Sequence, residues 1–461
     1  MKKERFKSIL LVFLVLTDVV LGSKILIDKK LWPDGYNFFS NMGIFYSNIM
    51  SYFSDNSKQK AQVFSPESII INTGDQTTRT SLTSNNAEFE ELYSEAQKLI
   101  KSAFSSERGN IETINKETLT SALSADSVFL NYPFEYDVSL FSALLGLKSS
   151  AVSEFTDKLS QVVITLSSRP SVYVANLENN DYIKINISAD DKKLASLCSE
   201  CTNKYTDNSV INYSFELKFD QPFGTQKTTL NPLIRIYSTE NEYPVITSAN
   251  PILNNDNTIN ETIIDNILKA FNINPSTMRR YTEAGGTIVF VENDGILKID
   301  TNGYLEYQAT GRGKEISTSN NFYADIMDIA SLVIDVNSAA FNNASVRLSG
   351  HEDNELYFDY VVSGLEMRID NTKADAAVVA KIESGYLKSY RQLIRSYQKT
   401  PEKLPPPGFF TALDSTIDEY SQSMNEIRIN NMYIGYTDNG SVGTKQANWI
   451  VEVDNVIAVE P

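Results

Sequence analysis

At 461 residues the chain has room for about three domains, and 42% hydrophobic with 21% charged residues suits buried cores and argues against wholesale disorder. Asp and Glu number 58 against 41 Lys and Arg, a net charge of −17 that repels phosphate backbones and argues against a nucleic-acid partner. A single histidine, His351, and two cysteines, Cys198 and Cys201, leave little material for metal or nucleophile chemistry.

In chain order, residues 1–8 form a short basic tail with Lys2, Lys3, Arg5 and Lys7. An apolar stretch follows at 9–27, whose 19 positions at about 1.5 Å each nearly span a hydrocarbon core of about 30 Å. Basic residues before it and Asp28 and Asp34 after it predict a cytoplasmic N-terminus and an exported remainder. A cleavable signal peptide cut near Val20-Leu21-Gly22 is the competing reading; the return of apolar residues at Ile25, Leu26 and Ile27 favours an uncleaved anchor. Asp18 lies inside the span, where an ionisable group costs about 2.5–3.5 kcal/mol and usually faces another helix or a polar cavity. Leu11, Leu14, Asp18 and Gly22 share one helical stripe, and small Gly22 and Ser23 permit close approach, so this stripe is the candidate partner-binding face. The alternative is an Asp tolerated near the outer end of a tilted helix.

Residues 28–60 read as a juxtamembrane stalk, with a turn at Pro33-Asp34-Gly35 and interface aromatics Trp32, Tyr36, Phe38 and Phe39. Residues 61–160 read as an α/β domain: a strand at 68–72, an amphipathic helix carrying Phe89, Leu92, Ala96, Leu99, Ile100 and Ala103, a strand at 127–132 and a short helix at 138–147. Residues 161–273 form a strand-rich region with β patterns at 162–166, 171–176, 181–187, 210–219 and 233–237. It closes on a helix opened by a Thr258/Glu261 capping box and ended before Pro275. Residues 274–372 and 373–461 each read as β-β-α-β-β, with turns at Asn293-Asp294-Gly295 and Asn302-Gly303, helices near 323–336 and 409–421, and a stiff Leu404-Pro405-Pro406-Pro407-Gly408 connector. The expected fold class is α+β: one membrane helix, an α/β domain, a strand-rich domain and two tandem domains with a helix on an antiparallel sheet.

Motifs that would carry chemistry are weak. Cys198-Ser199-Glu200-Cys201 is a C-x-x-C without a thioredoxin-like setting and without the further ligands zinc needs, which leaves a short-range disulfide in an exported loop or two idle thiols. His351 reads as a turn residue, since neither G-x-S-x-G nor a second histidine accompanies it. Ser57-Lys58-Gln59-Lys60 lacks the other elements of an S-x-x-K enzyme, and Gly311-Arg312-Gly313-Lys314 lacks the strand-to-helix setting of a phosphate loop. Adjacent carboxylates such as Glu90-Glu91 and Asp190-Asp191 do not face each other on a helix. No cofactor, metal or catalytic residue is assigned, and the chain reads as a non-enzyme.

Several longer stretches resemble the YycH family of exported regulators: the basic tail with its single apolar span (2–27), LNYPFEYDVSLFSALLG (130–146), NPSTMRRYTEAGGTIVFVENDGILKIDTNGYLEY (274–307), LYFDYVVSGLEMRI (356–369), SYRQLIRSYQK (389–399), and MYIGYTDNG (432–440) with ANWIVEVD (447–454). The resemblance implies a single-pass membrane protein with a large extracytoplasmic part. Its membrane helix would associate with a sensor histidine kinase of the YycG (WalK) type, in a two-component system controlling the cell wall of Gram-positive bacteria, and with the sister regulator YycI. It brings no catalytic motif, and Asp18 is read from the membrane span alone. A cell-wall-active enzyme and a solute-binding module are the alternative functions.

Overall fold

The computed structural model describes residues 62–454, apart from 75–78, 177–180, 206–209, 238–240, 274–277, 317–321, 341–342 and 371–375. The expected membrane helix and stalk lie outside these residues, and no described helix is long and apolar enough to cross a membrane.

The first sheet holds β1 (Ser68–Asn72), β2 (Arg79–Leu82), β3 (Ile111–Thr113), β4 (Ser127–Asp137), β5 (Lys158–Thr165), β6 (Ser171–Asn176) and β7 (Asp181–Asn186), in the order β2-β1-β4-β5-β6-β7-β3. Every pairing in it is antiparallel, so the α/β character expected of 61–160 gives way to α+β. The sheet runs without a break across position 160. Helices α1 (Phe89–Phe104), α2 (Lys116–Leu123), α3 (Val138–Leu144) and α4 (Lys192–Lys204) belong to this part. Ile69 and Ile71 share a core with Leu92, Ala96 and Ile100 of α1 and with Leu194 and Cys201 of α4. Ile70 points the other way, into a core with Phe129, Leu119 and Leu123 of α2, and Tyr213. Both faces are covered, which is why β1 reads as an unbroken apolar run and not as an alternation.

The region expected to be strand-rich, 161–273, holds most of β5 together with β6 and β7, and continues with four further strands. These are β8 (Val210–Tyr213), β9 (Thr229–Leu230), β10 (Arg235–Tyr237) and β11 (Tyr243–Ala249). The expected strand 210–219 stops at Tyr213 and turns into a 3-10 helix at Ser214–Leu217. The Glu216 carboxylate folds back to accept the Tyr213 N–H at 2.8 Å and also receives Arg79, a local competition that ends the ladder. Helix α5 (Glu261–Ala270) follows, capped by Asn260, whose side chain accepts from the Ile263 N–H. Thr258 does not cap it: its hydroxyl donates to Asp256 at 2.6 Å and accepts from Asn254 Nδ2 at 3.0 Å.

The remaining chain contributes β12 (Arg279–Thr282), β13 (Ile288–Val291), β14 (Gly295–Ile299), β15 (Tyr304–Ala309), β16 (Lys314–Glu315), α6 (Phe322–Ala339), β17 (Ser345–Glu352), β18 (Glu355–Val362), β19 (Leu365–Ile369), β20 (Val378–Glu383), β21 (Tyr386–Leu393), β22 (Ser396–Leu404), α7 (Phe409–Tyr420), β23 (Arg428–Asp438), β24 (Gly443–Lys445) and β25 (Asn448–Val453). The expected hairpins and both helices are there. Their strands interleave in one 13-stranded sheet, ordered β12-β13-β14-β15-β21-β20-β18-β19-β23-β25, with β16, β17 and β9 attached at its sides. The hairpin β20–β21 sits between β15 and β18, so residues 274–372 and 373–461 share one hydrogen-bonded surface. At the turn before β14, a Cβ on Gly295 would overlap the ring of buried Tyr307, whose hydroxyl donates to Asp294 O at 3.0 Å. Gly295→Ala is expected to cost about 1–3 kcal/mol, measured as a lowered urea midpoint.

Besides the two-stranded pair β10–β8, a separate three-stranded sheet is formed by β22, β11 and β24. Beneath it Asp438, fully buried, accepts from the Tyr397 hydroxyl at 2.9 Å and the Gly440 N–H at 2.8 Å, with Lys445 Nζ at 3.2 Å and Arg395 Nε at 3.9 Å. The Arg395 Nη atoms donate to the carbonyls of Asn302, Ile394 and Gly440. Gly303, at φ 90°, leaves room for that approach, where a side chain would strike Arg395.

Candidate functional site

Leu11, Leu14, Asp18 and Gly22, with Ser57 and Lys58, lie outside the described residues. Cys198 and Cys201 are both free and buried. They sit on α4 and not in a loop, on the stripe that carries Leu194 and Leu197. Burial pushes both thiols up, Cys201 to about 11, so neither has the thiolate character of a reactive cysteine. His351 lies on β17, with Nε2 3.1 Å from Asp353 O and Nδ1 3.5 Å from Asp137. Ser349 and Asp359 share a small cleft with it, but Ser349 hydrogen-bonds Asp359 while His351 faces elsewhere, so the three form no relay. Gly311 and Gly313 take positive φ in the connection between β15 and β16, a turn and not a phosphate cradle.

A different constellation stands out, at the seam between the first sheet and the long one. Residues 63–66 are buried there. Val63 O accepts the Leu348 N–H of β17 at 2.9 Å, and the Glu67 N–H donates to Asn131 O of β4 at 2.7 Å, so this one strap is bonded to both sheets. The Glu67 carboxylate takes Asn131 Nδ2 at 2.7 Å and lies 3.5 Å from Arg235 Nη2; Arg235 also donates to Ser68 Oγ at 2.6 Å. Across the seam stand Arg347 on β17, Asp359 on β18, Glu366 and Arg368 on β19, Tyr433 on β23 and Glu452 on β25. The Tyr433 hydroxyl donates to Glu366 Oε1 at 2.6 Å, the Ala377 N–H to Asp359 Oδ1 at 3.1 Å, and Arg368 lies 3.8 Å from Glu452. Burial first, then the neighbouring Asp359 and Glu67 charges, push the Glu366 carboxyl up to about 8. Burial likewise raises Asp359 and lowers Arg347.

Beside this cluster opens a cleft of about 720 Å³. One wall is a bulge in β4: Asn131 pairs with Gln161 and Tyr136 with Leu159, which leaves Tyr132-Pro133-Phe134-Glu135 outside the ladder. Pro133 has no N–H to give the ladder. These four residues lie within the 130–146 stretch singled out in the sequence. None of the seam charges was legible there, since partners such as Glu67 and Arg235 are far apart in the chain; a charged residue beside an apolar strand, as in Pro66-Glu67-Ser68-Ile69, was the one available signal.

The architecture defines a class: a mixed α+β protein in which a helix-covered antiparallel sheet is strapped to a second, longer sheet with interleaved strands. The crystal structure of YycH from Bacillus subtilis shares it, with a TM-score of 0.55 over 85% of this chain and 94% of that one, at 12% identity. A protein from Eubacterium rectale aligns over 51% of this chain and 84% of its own, at 12% identity and a TM-score of 0.34. No protein-family profile matches the sequence, and no curated protein matches it.

Proposed function

We propose that the chain is a membrane-anchored, extracytoplasmic accessory regulator of a sensor histidine kinase of the YycG (WalK) type, acting beside a YycI-like sister protein and performing no turnover of its own. The fold shared with YycH along 85% of the chain is the observation that carries this reading. The seam agrees with it. Residues 62–67, which continue the expected anchor and stalk, are bonded to both sheets, so a displacement at the membrane would reach the exported body at its internal boundary. Regulation requires different affinities for two kinase states, because equal affinity shifts nothing however tight it is. A difference of about 1–3 kcal/mol changes signalling from about fivefold to more than a hundredfold.

The docking face is the stripe Leu11, Leu14, Asp18 and Gly22. Asp18→Leu is expected to cut co-purification with the kinase about fivefold or more, with the thermal unfolding of the exported body unchanged. Undiminished co-purification would remove Asp18 from the interface. A crosslinking scan through positions 9–27 tests the function itself: capture of the kinase supports it, and capture of no membrane protein at any position sinks it.

A further inference from the structure

Arg347 is 3% exposed, yet among the described residues its Nε and Nη1 find no hydrogen-bond acceptor. A buried guanidinium with two nitrogens lacking acceptors is costly, and a second arrangement that satisfied them would remove that cost. Four groups dominate its surroundings: Glu67 from the strap, Glu366 from β19, Tyr136 from β4 and Asp359 from β18. Asp359 is already held by Ser349 and the Ala377 N–H, and Glu366 by Tyr433. Glu67 exerts the largest of the opposite charges on Arg347, and it is the acid that arrives from outside the long sheet. In the present arrangement it serves Asn131 and Arg235 instead.

We propose that Glu67 is a two-position switch, paired with Arg235 and Asn131 on the first sheet in the state described here and with Arg347 of β17 in a second state. Only the strap 62–67 has to shift, and it is bonded to both sheets through Val63 and Glu67. The seam then has two discrete arrangements, as a conformational device requires. The assignment of the strap as the path from the anchor rests on the function proposed above; the switch itself does not need the kinase.

The test is a double-mutant cycle on the full chain in nanodiscs, with Glu67→Gln and Arg347→Met, read by hydrogen exchange at the Leu348 amide. In the wild-type background Glu67 acts on Arg347 only across the seam, and coupling of no more than about threefold is expected. With Arg235→Met, or Arg235→Gln if that variant fails to fold, Glu67 turns to Arg347 and coupling of about tenfold appears. Absence of coupling in both Arg235 backgrounds overturns the proposal. Arg347→Met alone is expected to raise the thermal midpoint by a few degrees, because two buried donors without acceptors leave the seam. A fall in the midpoint would mark Arg347 as satisfied in the present state and would also overturn it. Since no readout uses the kinase, these outcomes stand apart from the crosslinking scan.

Discussion

Asp438→Ala is expected to be the most damaging single substitution among the described residues, costing about 3–5 kcal/mol. Asp438 is fully buried and supplies the negative charge facing Arg395 and Lys445. Its removal leaves two cations in a protein interior and orphans the Tyr397 hydroxyl and the Gly440 N–H. Arg395 would still be tied to three carbonyls, which offer dipoles but no charge. Asp438→Asn keeps oxygen and shape while losing charge, so it should cost less. Urea unfolding of the two variants beside the wild type measures both, and an Ala variant within 1 kcal/mol of the wild type would show the carboxylate to be dispensable, since buried pairs broken on one side rarely cost so little (about 3 kcal/mol or more).

The second large effect depends on pH. The Glu366 carboxyl, ordinarily near 4.5, is raised to about 8 in the folded chain. Below pH 4.5 both folded and unfolded forms hold the proton, and the group makes no difference. Between that value and about 8 the unfolded chain releases its proton while the folded chain keeps it, so stability declines as pH rises; above about 8 the decline is complete. Glu366→Gln cannot release a proton and still accepts from Tyr433. The variant is therefore expected to match the wild type at pH 4.5 and to exceed it by about 2 kcal/mol at pH 9, less than the full displacement would give because water reaches part of the side chain. Denaturation midpoints across this range report it, and parallel curves for the two proteins would refute the assignment. Asp359 is one of the charges that raise Glu366, so replacing the Glu366 carboxylate also relieves Asp359 and adds to the variant's gain at high pH.

Much of the secondary structure could be read from local pattern. The helix from Phe89 and the strands at 68–72 and 171–176 announce themselves through period and β-branched content, and the turns at Gly295 and Gly303 through hairpin residues. Helix α4 was equally legible, because Leu194, Leu197, Cys198 and Cys201 recur at helical spacing. The C-x-x-C spacing is therefore a consequence of helical period, with both cysteines on the buried stripe. Strand 210–219 failed for a non-local reason: Glu216 finds Arg79, 137 residues away, and a tertiary ion pair overrode a sound β pattern. The seam was illegible for that same reason. Asn131, Arg235, Arg347 and Glu366 each look like an ordinary polar residue until the two sheets face each other.

The placement of β20–β21 between β15 and β18 bears on how the protein is made. A chain cut after 372 would present β15 and β18 as raw ladders with nothing between them, an invitation to stick to other chains. β9 likewise waits for β23, nearly two hundred residues downstream. Long-range pairing of this kind is slow to form, so the polypeptide stays unfinished until its last strands have been made, and any helper that shields the open edges has to hold on until then.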